Sequence, residues 1–222
     1  MTHPQRALLL LSGGMDSTTL LWWMKNQAIA EIHTVAIDYG QRHKIELESS
    51  RTLSQQAGAQ SHRVLTLNLQ QIGGNPLTDQ ALSVPAAADK QQINTVVPYR
   101  NMLFVTLAAA WAERGNIQHL YISPVKDDYK AYRDCRRAFF NALELALSLG
   151  ATHDTTVHIH TPFIEKWKAE VIQIGLALEV PYQHTHTCYE GIRPACGRCD
   201  ACVERLDAFR RNNAVDPLKY EK

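Results

Sequence analysis

Four cysteines crowd into fifteen residues near the carboxyl end of the 222-residue chain: Cys188, then Cys196, Cys199 and Cys202. Two Cys-x-x-Cys steps that share Cys199 can wrap one side of a tetrahedral cation, with Cys188 returning as the fourth ligand. Gly191 and Gly197 permit the turns this needs. Four thiolates leave no open position, so a bound Zn2+ would be structural, and its binding would order the tail by on the order of 10 kcal/mol. An iron–sulfur cluster and a set of free thiols are the alternatives. His184 and His186, just upstream, could replace a cysteine, but the four-cysteine set is simpler. The fifth cysteine, Cys135, stands alone, and spacing assigns it no catalytic partner.

A second chemical signal lies near the other end. Leu11-Ser12-Gly13-Gly14-Met15-Asp16-Ser17-Thr18 follows an apolar run at 8–11 and opens a helical pattern at 17–26. Adjacent glycines let the backbone turn sharply and approach a ligand. The free amides of a helix start, with the dipole behind them, suit a pyrophosphate group, and Ser12, Ser17 and Thr18 add hydroxyl donors. The string lacks the Gly-Lys-Ser/Thr ending of a Walker loop and the spaced glycines of a dinucleotide fingerprint. Its other reading is a tight strand-to-helix turn capped by Asp16 or Ser17.

Three further polar strings fall after apolar segments. Asp38-Tyr39-Gly40-Gln41-Arg42-His43 offers an anion, an aromatic face and a cation in one turn. In Val97-Pro98-Tyr99-Arg100-Asn101, Asn101 can cap a helix and Arg100 can meet phosphate or carboxylate with its planar fork. The run 126–136 is dense in both charge signs and includes Tyr132, Asp134 and Arg136. Lys166 and Lys168 flank Trp167; one could steady the charge of a leaving pyrophosphate, or both could decorate a solvated helix start.

The elements that must position these groups alternate. Strands are expected at 8–11, 32–37, 62–67, 117–122 and 157–160, and helices at 17–26, 44–57, 101–114, 135–149 and 166–178. Gly58, Gly115 and Gly150 stop three of the helices. Residues 70–96 read as a long, mobile loop. Alternation of this kind predicts an α/β fold, a parallel sheet with helices on both faces, whose ligands bind beyond the carboxyl ends of the strands. The four-cysteine segment, 184–205, would be part of one domain spanning 1–222. Hydrophobic residues make up 45% of the chain, enough for one core, and a net charge of +1 argues against a general nucleic-acid binder. The run at 8–11 is too short to span a membrane or serve as a signal core, so a cytoplasmic protein is expected.

Taken together, the strings resemble the N-type ATP pyrophosphatases, with an adenine-nucleotide α-hydrolase-like, Rossmann-like fold. Within them the chain resembles the 7-cyano-7-deazaguanine synthase family of queuosine biosynthesis over essentially its whole length. The resemblance is carried by Ser12 to Ser17, Asp38 to His43, Arg100-Asn101, Tyr132 with Asp134-Cys135-Arg136, and the cysteine segment with Thr187-Cys188-Tyr189. It implies a ligase that uses ATP and Mg2+ to adenylate 7-carboxy-7-deazaguanine, lets ammonia displace AMP, and adenylates the resulting amide to reach the nitrile. By the resemblance, Leu11 to Thr18 hold ATP, and Asp16, Ser17 and Arg100 act in catalysis. Asp134 and Arg136 join them at the deazaguanine pocket, and the four cysteines hold one Zn2+ in each subunit of a homodimer. The family pattern has Gly where Tyr99 stands, Pro where Arg133 stands and Gly-Val where Ser123-Pro124 stands. These departures leave open a paralogue acting on a related deazapurine acid. Two further alternatives are a tRNA-modifying adenylase, which should be more basic, and a noncatalytic zinc adaptor, which need not keep the intact loop.

Overall fold

The computed structural model describes residues 4–89, 95–152 and 156–221. β1 (Arg6–Leu10) is apolar on both faces, and a strand of that kind belongs inside a covered sheet. Among the described residues, β2 (Glu31–Asp38), β3 (Ser61–Thr66), β4 (His119–Tyr121) and β5 (His158–His160) join it in a five-stranded sheet of order β3-β2-β1-β4-β5. Every neighbouring pair is parallel. The chain winds outward from β1 to β3, then returns to the far side of β1 for β4 and β5. The carboxyl ends of β1 and β4 therefore flank the switch point, where open sheets of this kind bind ligands.

Helices cover both faces. On one, Leu8 and Leu120 pack with Val105 and Ala108 of α3 (Arg100–Arg114) and with Phe140 and Leu143 of α4 (Arg137–Gly150), taking the label α2 for Ile45–Ala57. On the other, Ala7, Leu9 and Leu11 pack with Leu20, Leu21 and Met24 of α1 (Met15–Asn26) and Val171 of α5 (Lys168–Ala177). Successive residues of β1 thus serve opposite layers, as pleating requires. No helix among the described residues is long and apolar enough to cross a membrane.

The sequence expectations need correction mainly at element ends. α1 begins at Met15 because Gly14 is the extended residue before it, so Asp16 and Ser17 lie inside the first turn and neither caps it. α3 begins at Arg100, so Asn101 is helical and turns its amide to Asp134 O and Cys135 Sγ instead of capping. Cys135 closes a short 3-10 turn, Arg133–Cys135, ahead of α4, and Gly150 is the last residue of α4. Gly58 does stop α2, with φ +73°.

Within 70–96, residues 90–94 lie outside the described residues, and the part around Asn75 is packed against the rest of the fold. Asn75, Leu77 and Thr78 are buried, Asn75 Nδ2 donates to Val96 O at 2.9 Å, and Arg42 donates to the carbonyls of Asp79 and Leu82. A helix that sequence reading left out, α6 (Asp200–Arg211), follows the cysteines. Its Arg205 is fully buried and grips Asp216 with two bonds of 2.7 and 2.8 Å, locking the carboxyl tail over the cysteine segment.

Candidate active site and metal centre

A cleft of about 450 Å³ opens at the carboxyl ends of β1, β2 and β4. Leu11, Ser12, Gly14, Met15, Asp16 and Ser17 line it, so most of the loop singled out from sequence faces one cavity. No side chain caps α1, and its first amides have no intrahelical acceptor. The Ser12 and Ser17 hydroxyls sit 3.0 Å apart beside them. Such a loop can hold a polyanion by backbone donors alone.

Gly13 and Thr18 have other tasks. Gly13 takes φ +87°, and a Cβ there would lie 2.2 Å from the carbonyl oxygen of Glu46 in α2. The glycine therefore lets α2 press against the loop. Thr18 is fully buried and donates its hydroxyl to Gly14 O at 2.7 Å.

Beyond the loop lies an acidic nest around one lysine. Lys168 Nζ is 2.6 Å from Glu204 Oε2 and 3.8 Å from Asp16 Oδ2, and its backbone N–H donates to Asp127 Oδ2 at 2.6 Å. Burial pulls the lysine's pKa down, but Asp16, Glu204 and Asp128 more than reverse that, so it stays charged. Asp16 is pushed up to about 7: burial raises it, Lys168 pulls it back, and Asp128, Glu204 and Asp127 push it further. Its Oδ1 is buried without a hydrogen-bond partner. Burial also raises Asp128. Asp16, Asp127, Asp128 and Glu204 thus crowd one lysine beside the loop.

The other end of the cleft is aromatic. Tyr39, His43, Phe104, Tyr132 and Tyr189 line it, with the Arg100 guanidinium 5.5 Å from the centre of the Tyr132 ring. His43 is neutral, pushed down to about 3 by burial and then by Arg100 and His186. Glu46 is pushed up to about 8 by burial, against the hydrogen bond from Gln41 and the charge of Arg100. These flat walls suit a planar ligand.

Of the other sequence candidates, Asp134 accepts the backbone N–H of Asn101 at 3.2 Å, and Arg136 is exposed and donates to Tyr129 O. Neither lines the cleft. Cys135 does line it, but burial, followed by Asp128 and Asp134, pushes the thiol up, so it is no ready nucleophile. Tyr99, the residue before Arg100, adopts φ +56° and is 72% exposed. That left-handed backbone is where a glycine would sit without strain. Sequence reading passed over Glu46, Asp127, Asp128 and Glu204. Only Asp127 and Asp128 had a signal, since they stand in the charged string after β4.

The four cysteines converge. All are buried, and their sulfurs lie within 4.8 Å of one another, with Cys196 Sγ and Cys202 Sγ 3.9 Å apart. A tetrahedral zinc site with Zn–S bonds of about 2.3 Å implies S···S edges of about 3.8 Å, so the set fits that ion. His186 stays outside the set and binds the Cys188 carbonyl through Nε2.

Residues 6–213 match the family model described as Queuosine biosynthesis protein QueC. A 7-cyano-7-deazaguanine synthase of Clostridium kluyveri is 40% identical over 98% of this chain and 98% of its own. One of Azoarcus sp. is 40% identical over 100% and 99%. Among solved structures, NMN synthetase from Francisella tularensis is similar over 96% of this chain and 79% of its own, at 12% identity and a TM-score of 0.49. With a phosphate-type loop at the switch point, a four-thiol cluster beside it and relatives matched end to end, the chain belongs to the QueC family of queuosine biosynthesis proteins.

Proposed function

We propose that this protein is an ATP-dependent ligase that converts 7-carboxy-7-deazaguanine and ammonia to 7-cyano-7-deazaguanine in the cytoplasm. The observation that carries the reading is the uncapped start of α1 opening into a cleft at the switch point, in a chain matched end to end by relatives that bear that name.

A carboxylate oxygen attacks the α-phosphorus of ATP, the bond to the bridging oxygen breaks, and pyrophosphate departs. The acyl adenylate loses AMP to ammonia and becomes the amide. The amide oxygen then attacks the α-phosphorus of a second ATP, a second pyrophosphate departs, and loss of AMP with the two remaining nitrogen protons leaves the nitrile. The chain's work is to bind, orient and balance charge. The amides at the start of α1, with Ser12 and Ser17, hold the departing phosphates. Lys168 meets the charge that grows as they leave. Arg100 and the aromatic walls orient the planar acid. Asp134 holds Asn101 and the start of α3, and so acts on Arg100 from behind. Arg136 is exposed, donates to the Tyr129 carbonyl and takes no step.

Mg2+ would be held by Asp16 and Asp128, where it offsets phosphate charge. Zn2+ would be held by Cys188, Cys196, Cys199 and Cys202 in a closed structural site. A homodimer is supported by the exposed face of α4, where Leu145 is 60% and Leu149 81% exposed.

One incubation tests the reading: protein, ATP, magnesium, ammonium and 7-carboxy-7-deazaguanine, with the base mass followed. The nitrile is expected. AMP without nitrile would move the activity to another acceptor acid, salt-sensitive retention of tRNA would favour a tRNA-modifying enzyme, and no pyrophosphate with any acid would reduce the protein to an adaptor.

A further inference from the structure

We infer that Glu204 is a positioning residue for Lys168, and that through it the four-cysteine centre sets the geometry of the ATP-cleaving end of the cleft. The inference rests on the ATP-cleaving reading of the cleft.

A lysine head on a four-carbon stem has many rotamers and no fixed bearing of its own. Two anchors give Lys168 one. Its amide is bound by Asp127, and its ammonium by Glu204 at 2.6 Å, closer than Asp16 at 3.8 Å. Glu204 comes from α6, and α6 is fixed at its start by the thiol cluster. Cys199 is the residue before its first turn and Cys202 lies within that turn. Pinning both sets the rotation of the helix about its axis, and with it the direction in which Asp200, Ala201 and Glu204 face. All three line the cleft. Next to Glu204 on α6, Arg205 is held by Asp216 and Thr185, so the helix cannot roll to relax the contact.

The pair contributes little to stability as an ion pair, because the Glu204 side chain is 47% exposed. Its consequence is directional. Without the Glu204 charge, the nearest carboxylate left to Lys168 is Asp16. The ammonium then closes on the loop carboxylate and leaves the position from which it meets the outgoing pyrophosphate. A misplaced donor of this kind lowers turnover more than nucleotide affinity, since its contact strengthens only as charge develops.

The test uses the full-length, metal-loaded protein and measures AMP release with ATP, magnesium, ammonium and 7-carboxy-7-deazaguanine. Glu204→Gln is expected to keep its metal content and melting temperature, to lower kcat about tenfold to a hundredfold, and to change KM for ATP less than about threefold. Lys168→Met combined with Glu204→Gln is expected to be no slower than Lys168→Met alone, because the glutamate acts through the lysine. Asp207→Asn, which removes a partly exposed acid of the same helix paired with Arg210 and Arg211, is expected to keep wild-type kcat. The inference is overturned if Glu204→Gln turns over at the wild-type rate, if the two substitutions multiply, or if the rate falls only in proportion to lost metal. Failure of the wild-type protein to release AMP would instead remove the ATP-cleaving reading, and the inference with it.

Discussion

His186 donates its backbone N–H to the carbonyl of Gly13 at 2.9 Å. Two residues further on is Cys188, so one short stretch of chain touches both the phosphate-type loop and the four-thiol cluster. Gly191 packs against the turn after β2 just as closely: a Cβ there would lie 2.7 Å from His43 Cα. The cysteine segment is thus a wall of the cleft and not an appendage. Cys199→Ser is expected to lower zinc stoichiometry and folded yield, and to reduce AMP formation at least in proportion. Zinc measured by emission spectroscopy beside AMP release checks this, and full zinc occupancy in the variant would take Cys199 out of the ligand set.

Gly13 combines a left-handed backbone with a neighbour 2.2 Å from any added Cβ, and that neighbour is a backbone carbonyl that cannot swing aside. Gly13→Ala is expected to destabilise the fold by about 3 kcal/mol or more, from dihedral strain and overpacking together. Gly14→Ala, where the closest atom is the Ser12 hydroxyl at 3.4 Å, is expected to cost less stability. Urea unfolding of the two variants checks the order; equal losses would contradict it.

The Asp16 carboxyl ionises near pH 4 in an unfolded chain and only at about 7 in the fold, because burial and the surrounding acids disfavour its charge. Between those values the unfolded state releases the proton first, so stability is fully present below pH 4 and falls as pH rises to about 7. In magnesium-free buffer Asp16→Asn is expected to lack this loss, a difference from wild type of about 2 kcal/mol. Added magnesium should narrow it by favouring the wild-type carboxylate. Unfolding midpoints at pH 5 and pH 8 measure it, and parallel curves for the two proteins would contradict the assignment. The variant should also fail to form AMP.

Cys135 borders the cleft yet is protonated at working pH and bonded to Asn101 Nδ2 at 3.2 Å. Cys135→Ser keeps a small polar atom in that place and is expected to leave kcat within roughly threefold of wild type. A hundredfold loss, or a covalent adduct on Cys135 by mass spectrometry, would make it a nucleophile after all.

The alternation of apolar runs made the sheet and its covering helices legible; the four closely spaced cysteines do converge, and the Ser-Gly-Gly string does line the cleft. These signals are local: a pleat, a turn, a metal's ligand geometry. The residues that sequence reading passed over act across long separations. Glu204 meets Lys168 across 36 residues, and Gly13 faces Glu46 only because α2 folds back under the loop. Asn101 shows a related limit. Its type suggests a cap, yet the helix starts one residue earlier, and the side chain is claimed by Asp134 and Cys135 instead. α6 was hidden because its first turn is also part of the four-cysteine segment, whose cysteines and glycine read as loop.

The most direct measurement is a crystal structure of the magnesium-loaded protein with a nonhydrolysable ATP analogue and the deazaguanine acid. The expected result places the β and γ phosphates within hydrogen-bond distance of the backbone amides of Met15, Asp16 and Ser17, with Lys168 on the same side. A triphosphate bound elsewhere, with those amides facing only water, would contradict the account.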